Sequence, residues 1–122
     1  MAAYEFTVTA KAQYLPAQSH PENSEYTFEY MVTIRNTGQI AAQLVARHWV
    51  ITDASNRKEE MLGFGVMGQQ PTLQPGEEFE YANNVTLAMS QGTMSGQFLC
   101  EADDGEQFHA SVPEFALSSP QF

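Results

Sequence analysis

Apolar and polar side chains alternate with a period of two residues along much of this chain. Every second side chain is apolar in residues 4–14, and residues 26–36, YTFEYMVTIRN, repeat the pattern. Successive side chains of a β-strand point to opposite faces, so this period indicates strands with one buried face. No segment shows the 3.6-residue period of an amphipathic helix. The alternation therefore predicts an all-β fold.

Turn sequences separate these strands. Residues 15–24 form a loop by composition, and the sequences DASN, QPGE and DDGE each predict a turn, Asn56 being able to take a left-handed conformation and Asp104-Gly105 suiting a primed hairpin turn. Further strands are predicted over residues 40–52, 78–81, 92–102 and 107–112, with Pro113 ending the last, and residues 59–62 and 72–73 are short apolar pieces that flank the glycine loop. Seven or eight short strands in 122 residues are typical of an immunoglobulin-like antiparallel β-sandwich, here a single domain over residues 1–122.

The charge balance restricts the partners. Fifteen acidic and five basic side chains give a net charge of -10. A phosphate backbone is bound by clustered Lys and Arg, so this field argues against nucleic acid and against anionic membranes. No apolar run reaches the roughly 20 residues of a membrane helix, and no signal peptide is recognisable. A lone cysteine, Cys100, agrees with a reducing compartment, and we expect a cytoplasmic protein whose partners are proteins with basic or apolar surfaces, or cations.

Residues 63–68, GFGVMG, match the pattern G-x-G-x-x-G. In dinucleotide-binding folds these glycines connect a strand to a helix whose N-terminus faces the pyrophosphate. Here a proline and another strand follow, which favours a tight, bulged loop without a ligand. Three cations keep an anion-binding alternative open, because loop amides with nearby basic side chains can form an anion site without a helix. The candidate residues are Gly63, Phe64, Gly65, Val66, Met67, Gly68, Arg47, Arg57 and Lys58.

An acidic hairpin is the one candidate metal site. Asp103, Asp104 and Glu106 are weak candidate ligands, since hard cations such as Mg²⁺ prefer carboxylate oxygens. A two-residue turn would splay these side chains, so a solvated acidic tip is favoured. No spacing places Cys100 beside His48 or His109 as nucleophile and base. We therefore expect no enzymatic activity and no cofactor.

Apolar residues surround the glycine loop. Met61, Phe64, Val66 and Met67 cluster there in sequence. Exposed, they would form a partner-binding surface; buried, they would belong to the core. The sequence leaves both alternatives open.

Four motifs in order resemble the ApaG family: RHWVITD (47–53), GFGVMGQQPTLQPGEEFEY (63–81), GTMSGQF (92–98) and VPEFAL (112–117). The resemblance covers about residues 30–117 and implies a fibronectin type III-like sandwich without enzymatic activity. Bacterial members are associated with cobalt and magnesium efflux or resistance and are often encoded beside a diadenosine tetraphosphate hydrolase. Similar domains in an F-box protein and a DNA polymerase delta-interacting protein imply a protein-interaction role.

The resemblance also bears on the glycine loop. Gly63, Gly65 and Gly68 stand where the family has a loop that has been likened to a pyrophosphate-binding motif. Phe64 replaces a polar residue of many relatives, and Asn56 replaces a glycine. We therefore expect a binding module that contacts a protein partner and acts indirectly in cobalt and magnesium resistance. The alternative is a protein that binds a nucleotide polyphosphate or a divalent cation; a homodimer is a further option.

Overall fold

The computed structural model describes residues 3–66 and 68–119 and consists almost entirely of strands. The only helical elements in that part are two three-residue 3₁₀ turns, and no helix there could cross a bilayer. The strands are β1 (Phe6–Tyr14), β2 (Tyr26–Asn36), β3 (Ala42–Asp53), β4 (Lys58–Phe64), β5 (Thr72–Leu73), β6 (Glu78–Leu87), β7 (Gln91–Ala102) and β8 (Gln107–Ser118).

Two antiparallel sheets form the molecule. One has the order β1-β2-β6; the other has the order β4-β3-β7-β8, with β5 paired to the first residues of β3. The alternation seen in the sequence places one face of each sheet in a shared core. The prediction of an antiparallel β-sandwich is confirmed.

The core is centred on Trp49 of β3, which is 2% exposed. Its indole makes edge contacts with the rings of Tyr30, Phe98 and Phe115, at centroid distances of 5.6, 5.9 and 6.3 Å. Such edge-to-face pairs are favoured by the ring quadrupole. Cys100 lies in the same core and is buried, as expected from its strand position.

The two long sides of the sandwich differ. On one side β1 packs against β8, and Phe108 contacts the rings of Tyr4 and Phe6 at centroid distances of 6.0 and 5.5 Å. On the other side β4 is the outer strand, and its burial pattern shows every residue except Gly63 exposed. Because neither face of β4 is covered, it extends the larger sheet beyond the three-stranded one.

Two local predictions need correction. Pro113 does not end the last strand, because β8 continues to Ser118. Residues 113 and 114 form a bulge opposite Ser95, and β8 is an edge strand, where the missing proline N–H costs no ladder hydrogen bond. The hairpin at residues 103–105 is also not a primed turn: only Gly105 has a positive φ, 87°, and its N–H donates to the Ala102 carbonyl. That is a type I turn followed by a left-handed glycine.

Other turn residues behave as predicted. Asn56 has a φ of 67°, and Gly76 of the QPGE turn has a φ of 89°. The Glu77 N–H donates to the Gln74 carbonyl across that turn at 2.9 Å. Positive φ at the third turn position is the reason for glycine there.

Candidate functional site

The glycines of GFGVMG serve the backbone. β4 ends at Phe64, and the chain reverses between Val66 and Gln69, which form an isolated bridge. Gly65 has a φ of 65°, and a Cβ atom there would overlap the Gln69 carbonyl oxygen. Gly68 has a φ of 77° with open space around it. Gly65 therefore permits a left-handed backbone and a close approach together, and Gly68 permits the left-handed backbone alone.

Arg47 is directed at this loop from β3. Its guanidinium donates hydrogen bonds to the carbonyls of Phe64, at 3.1 Å, and Gly65, at 2.8 Å. It lies against Gly63, where an added Cβ would come within 2.6 Å of Nη2. The absence of a side chain at Gly63 thus makes room for the guanidinium, which is already bonded to loop carbonyls.

Two of the loop amides are also engaged. The N–H of Gly65 donates to the Val45 carbonyl at 2.8 Å, and the N–H of Val66 donates to the Gln69 carbonyl at 2.7 Å. An anion site of the expected kind needs such amides directed outward. These two donate within the protein instead.

The structure does not bring the three candidate cations together. In the register of β3 and β4, Gly63 lies opposite Arg47, whereas Lys58 lies opposite Thr52. Five strand positions separate the two ends, which is about 17 Å. Arg57 lies beyond Lys58, and its Nε is 3.8 Å from the Asp53 carboxylate. Closeness in sequence to the loop does not become closeness in space, because the intervening residues are extended.

The apolar residues around the loop divide into two groups. Val66 is 1% exposed and belongs to the core, whereas Phe64 is 80% exposed and Met61 is 37% exposed. Leu62, which the sequence reasoning did not single out, is 75% exposed. Met67 lies outside the described residues. We call Met61, Leu62 and Phe64 the β4 patch.

Leu62 escaped notice because an exposed leucine in a short apolar segment resembles a core residue. The signal that could have found it is its position in KEEMLGF, between three charged residues and a glycine loop, where neither face has enough apolar residues for burial. Large exposed side chains next to one another on one strand are informative, whereas a single one is ordinary.

The β4 patch continues onto the outer face of the larger sheet. Phe64 pairs with Ala46 and Leu62 pairs with His48 across the strands, and Leu99 lies beside Ala46 on β7. A shallow depression of about 220 Å³ lies on this face and has no carboxylate in its lining. It is lined by Ala46, Arg47, His48, Leu62, Gln97, Leu99 and His109. The lining is thus free of carboxylates, and the Glu60 carboxylate lies beside it, 3.8 Å from Nε2 of His48.

The acidic hairpin is organised by hydrogen bonds. The Tyr4 hydroxyl donates to Oδ2 of Asp104 at 2.5 Å, and the Glu106 N–H donates to Oδ1 at 3.0 Å. These donors, the Tyr4 hydroxyl first, lower the pKa of Asp104 below its ordinary value. Within residues 3–66 and 68–119 no three His, Cys, Asp or Glu side chains are grouped to hold a metal ion.

The groups considered for catalysis are separated by the sheet. Burial raises the pKa of the Cys100 thiol to about 12, so the nucleophilic thiolate is disfavoured. His48 and His109 line the depression on the outer face, whereas Cys100 belongs to the core on the other side. Nε2 of His48 lies 3.8 Å from the Glu60 carboxylate. No nucleophile and base come together from these three residues.

Comparison with known proteins identifies the family. The model of the ApaG domain matches residues 16–102. Protein ApaG of Ralstonia nicotianae is 51% identical over 121 residues, covering 99% of this chain and 98% of that protein. Protein ApaG of Dechloromonas aromatica is 48% identical, covering 97% and 93%.

A crystal structure of the Bordetella pertussis protein described as ApaA superposes with a TM-score of 0.95 at 43% identity, covering 99% of this chain and 98% of that one. An Archaeoglobus fulgidus protein, 11% identical with a TM-score of 0.51, shares the fold alone. The resemblance of the sequence motifs is confirmed: the chain belongs to the ApaG domain family.

Proposed function

We propose that this ApaG-family protein is a non-catalytic module that binds a protein partner through the β4 patch and the adjoining glycine loop. The observation that carries the proposal is the exposure of Leu62 and Phe64, at 75% and 80%, side by side on one face of an outer strand. Burying a side chain of this size stabilises by about 1.5–3 kcal/mol. That free energy is not used by the fold and is available to a partner.

The charge distribution supports the same surface. The chain carries a net charge of -10, yet no carboxylate lines the depression beside Leu62. Desolvating carboxylates at an interface is costly, so a depression without carboxylates in its lining is a favourable place for contact. The surrounding field would attract a partner with a basic surface and increase its association rate.

The absence of catalysis is part of the proposal. Cys100 is buried with a raised pKa, and the two histidines lie on the opposite face of its sheet. A nucleophile needs a base within hydrogen-bonding reach. The separation of these groups supports a binding role. It gives no support to a weak hydrolase activity, for which His48 or Asp104 would have to act in catalysis.

Contact with the partner is tested by site-specific photocrosslinking. A photoreactive phenylalanine analogue at position 64, with a matched probe at exposed Thr9 on the other sheet, would be used in cells to identify proteins crosslinked only through position 64. The purified partner is then titrated with the Phe64→Ser and Thr9→Ser variants. We expect Phe64→Ser to weaken binding at least tenfold, because central aromatic residues carry much of the binding free energy. Equal affinities for both variants would refute the proposal.

We further propose an indirect role in cobalt and magnesium resistance, exercised in the cytoplasm through the partner. Family membership supports this part. A deletion strain would be complemented with the natural protein, Phe64→Ser or Thr9→Ser and grown on a cobalt gradient. We expect Phe64→Ser to fail where Thr9→Ser succeeds. Normal cobalt tolerance of the deletion strain would remove this link and leave the binding proposal standing.

The alternative, binding of a nucleotide polyphosphate or a divalent cation, has less support from the contacts. The amides of Gly65 and Val66 and the Arg47 guanidinium already have partners within the loop, and Asp104 accepts from Tyr4. An amide NMR titration with magnesium-ATP tests it directly. Saturable shifts at residues 63–68 would favour the polyphosphate, and shifts confined to residues 103–106 would favour the cation.

A further inference from the structure

The backbone of β4 has one hydrogen-bonded side and one open side. The Gly65 N–H donates to the Val45 carbonyl, and the Asp53 N–H donates to the Arg57 carbonyl. Because hydrogen-bonded pairs alternate along an antiparallel ladder, these two bonds define the phase for the whole strand. Residues 59, 61 and 63 therefore exchange hydrogen bonds with β3. Residues 60, 62 and 64 direct their N–H and C=O groups away from the sheet.

Most of these outward groups have no partner among the described residues. β4 is the last strand of its sheet, and the Phe64 carbonyl accepts from Arg47. The N–H and C=O of both Glu60 and Leu62, with the Phe64 N–H, form an open row of donors and acceptors. Such a row is a template for another strand.

The second half of the edge also lacks the usual features that block pairing. Charges protect only its first half, where Lys58, Glu59 and Glu60 stand, and no proline or bulge occurs between residues 58 and 64. By contrast, the outer strand β8 carries Pro113 and a bulge and packs against β1. The unprotected half of β4 coincides with the β4 patch.

We propose that a segment of the partner protein joins the larger sheet as a strand antiparallel to β4, with apolar side chains beside Leu62 and Phe64 and a Lys or Arg beside Glu60. This inference rests on the proposed function and gives its mode of binding. In such strand addition the main chain supplies affinity, and alternate side chains supply specificity.

The charge of β4 decides whether the added strand comes from a second copy of this chain or from a different protein. Glu59 and Glu60 are exposed, and no Lys or Arg among the described residues lies within 4 Å of the Glu60 carboxylate, which is 3.8 Å from Nε2 of His48. A second copy would bring another net charge of -10 to the interface, whereas a basic segment would neutralise these carboxylates. A cationic, apolar segment of a different protein is therefore the occupant.

The inner face offers space for the remaining side chains of the added strand. A cavity of about 280 Å³ lies between the first residues of β4 and the last residues of β6. It is lined by Ile51, Asp53, Arg57, Lys58, Glu59, Thr86, Leu87 and Ala88. Alternate side chains of a strand beside β4 would project over this gap and cover Met61, which is 37% exposed.

The probe for the first experiment is a synthetic peptide with blocked termini, Thr-Val-Thr-Val-Thr-Lys-Thr, whose valines would lie beside Phe64 and Leu62 and whose lysine would lie beside Glu60. It would be titrated into ¹⁵N-labelled protein while amide shifts are recorded. We expect saturable shifts at the Leu62 and Glu60 amides at peptide concentrations up to about 5 mM, because a few main-chain hydrogen bonds support only millimolar affinity. No shift at these amides would overturn the inference.

Backbone methylation of the peptide separates strand addition from side-chain contact. In the antiparallel pairing, the valine N–H groups face β4 and the threonine N–H groups face solvent. We expect N-methylation of both valines to weaken binding at least tenfold, N-methylation of the flanking threonines to weaken it less than about twofold, and Glu in place of Lys to weaken it several-fold. Equal effects of the two methylations would overturn the inference.

A matched pair of protein variants provides the reciprocal test. Leu62→Pro and Leu62→Thr both remove the leucine side chain, but only the proline removes the outward N–H, and it breaks no bond to β3. Once both are shown to unfold cooperatively, Leu62→Pro should bind the peptide about tenfold more weakly than Leu62→Thr. Equal affinities would contradict strand addition.

Two further results separate the possible failures. If the crosslinked partner is sensitive to Phe64→Ser but equally tolerant of Leu62→Pro and Leu62→Thr, strand addition is wrong and the proposed function stands. If Phe64→Ser has no effect, the proposed function fails. A dimer seen by sedimentation without peptide and dissociated by Leu62→Pro would overturn the inference in favour of a second copy as occupant.

Discussion

Replacing the glycines of the loop one at a time tests whether they serve the backbone. Gly65→Ala and Gly68→Ala are a matched pair, because both residues have a positive φ, 65° and 77°. An alanine in the left-handed conformation costs about 1–2 kcal/mol, so each substitution should lower the free energy of unfolding by at least about that amount. Only at Gly65 would the added Cβ also meet the backbone of Gln69.

The additional cost at Gly65 can be worked from the contacts of the turn. Moving Gln69 away breaks its two hydrogen bonds with Val66, which measure 2.7 and 2.9 Å. Each hydrogen bond is worth about 1 kcal/mol net. Together with the cost of the left-handed alanine, we expect Gly65→Ala to lower the free energy of unfolding by about 3–4 kcal/mol. Gly68→Ala should lose about 1–2 kcal/mol.

Urea unfolding at equilibrium measures both losses, with unchanged m values as the condition for comparing them. The difference between the variants, about 2 kcal/mol, is larger than the error of such measurements. Equal destabilisation by both substitutions would refute the argument from close approach. A loss below about 1 kcal/mol at Gly65 would also contradict the cost assigned to the left-handed alanine.

Three further predictions concern the rest of the molecule. The buried Cys100 thiol, with its pKa raised to about 12, should react with iodoacetamide at pH 8 far more slowly in the native protein than in urea. Because the pKa is higher in the folded than in the unfolded protein, the neutral thiol contributes its full stabilisation below the unfolded pKa of about 8.5, and this contribution declines as pH rises above that value. Tyr4→Phe should raise the pKa of Asp104 towards its ordinary value in a side-chain NMR titration, and an unchanged Asp104 titration would contradict the assignment. Because the folded pKa of Asp104 is lowered, the contribution of its carboxylate to folding stability should be present above about pH 4 and lost as pH falls through the folded pKa. Phe98→Ala should cost about 3–5 kcal/mol in urea unfolding, because the ring is fully buried against Trp49, and a loss below about 2 kcal/mol would mean that the core collapses around the gap.

Strands with one buried face were predictable from the sequence. β2 was predicted at residues 26–36, the bounds that it has in the structure. β4 was recognised only as a short apolar piece at residues 59–62, although it runs from Lys58 to Phe64. The periodic signal is produced by burial of one face, and a strand exposed on both faces does not produce it. The strand that forms the candidate site therefore had the weakest signal.

The candidate site depended on register, which the sequence did not reveal. The value of glycine in the loop could be argued from the pattern alone, but the contact between Gly63 and Arg47 requires the pairing of β3 with β4. The same register separates Lys58 from Arg47. Pro113 was misjudged for a related reason, because only the sheet order shows that β8 is an edge strand.

The aromatic contacts along β1 and β8 have a consequence for motion. Tyr4, Phe6 and Phe108 close that side of the sandwich, and the Tyr4–Asp104 hydrogen bond reinforces it. Local opening has the lowest free energy where apolar contacts are few, and β4 is exposed along almost its whole length. Fluctuations should therefore concentrate at β4, while β1 and β8 remain comparatively rigid. The strand that is expected to fluctuate most is therefore also the strand that we propose binds the partner.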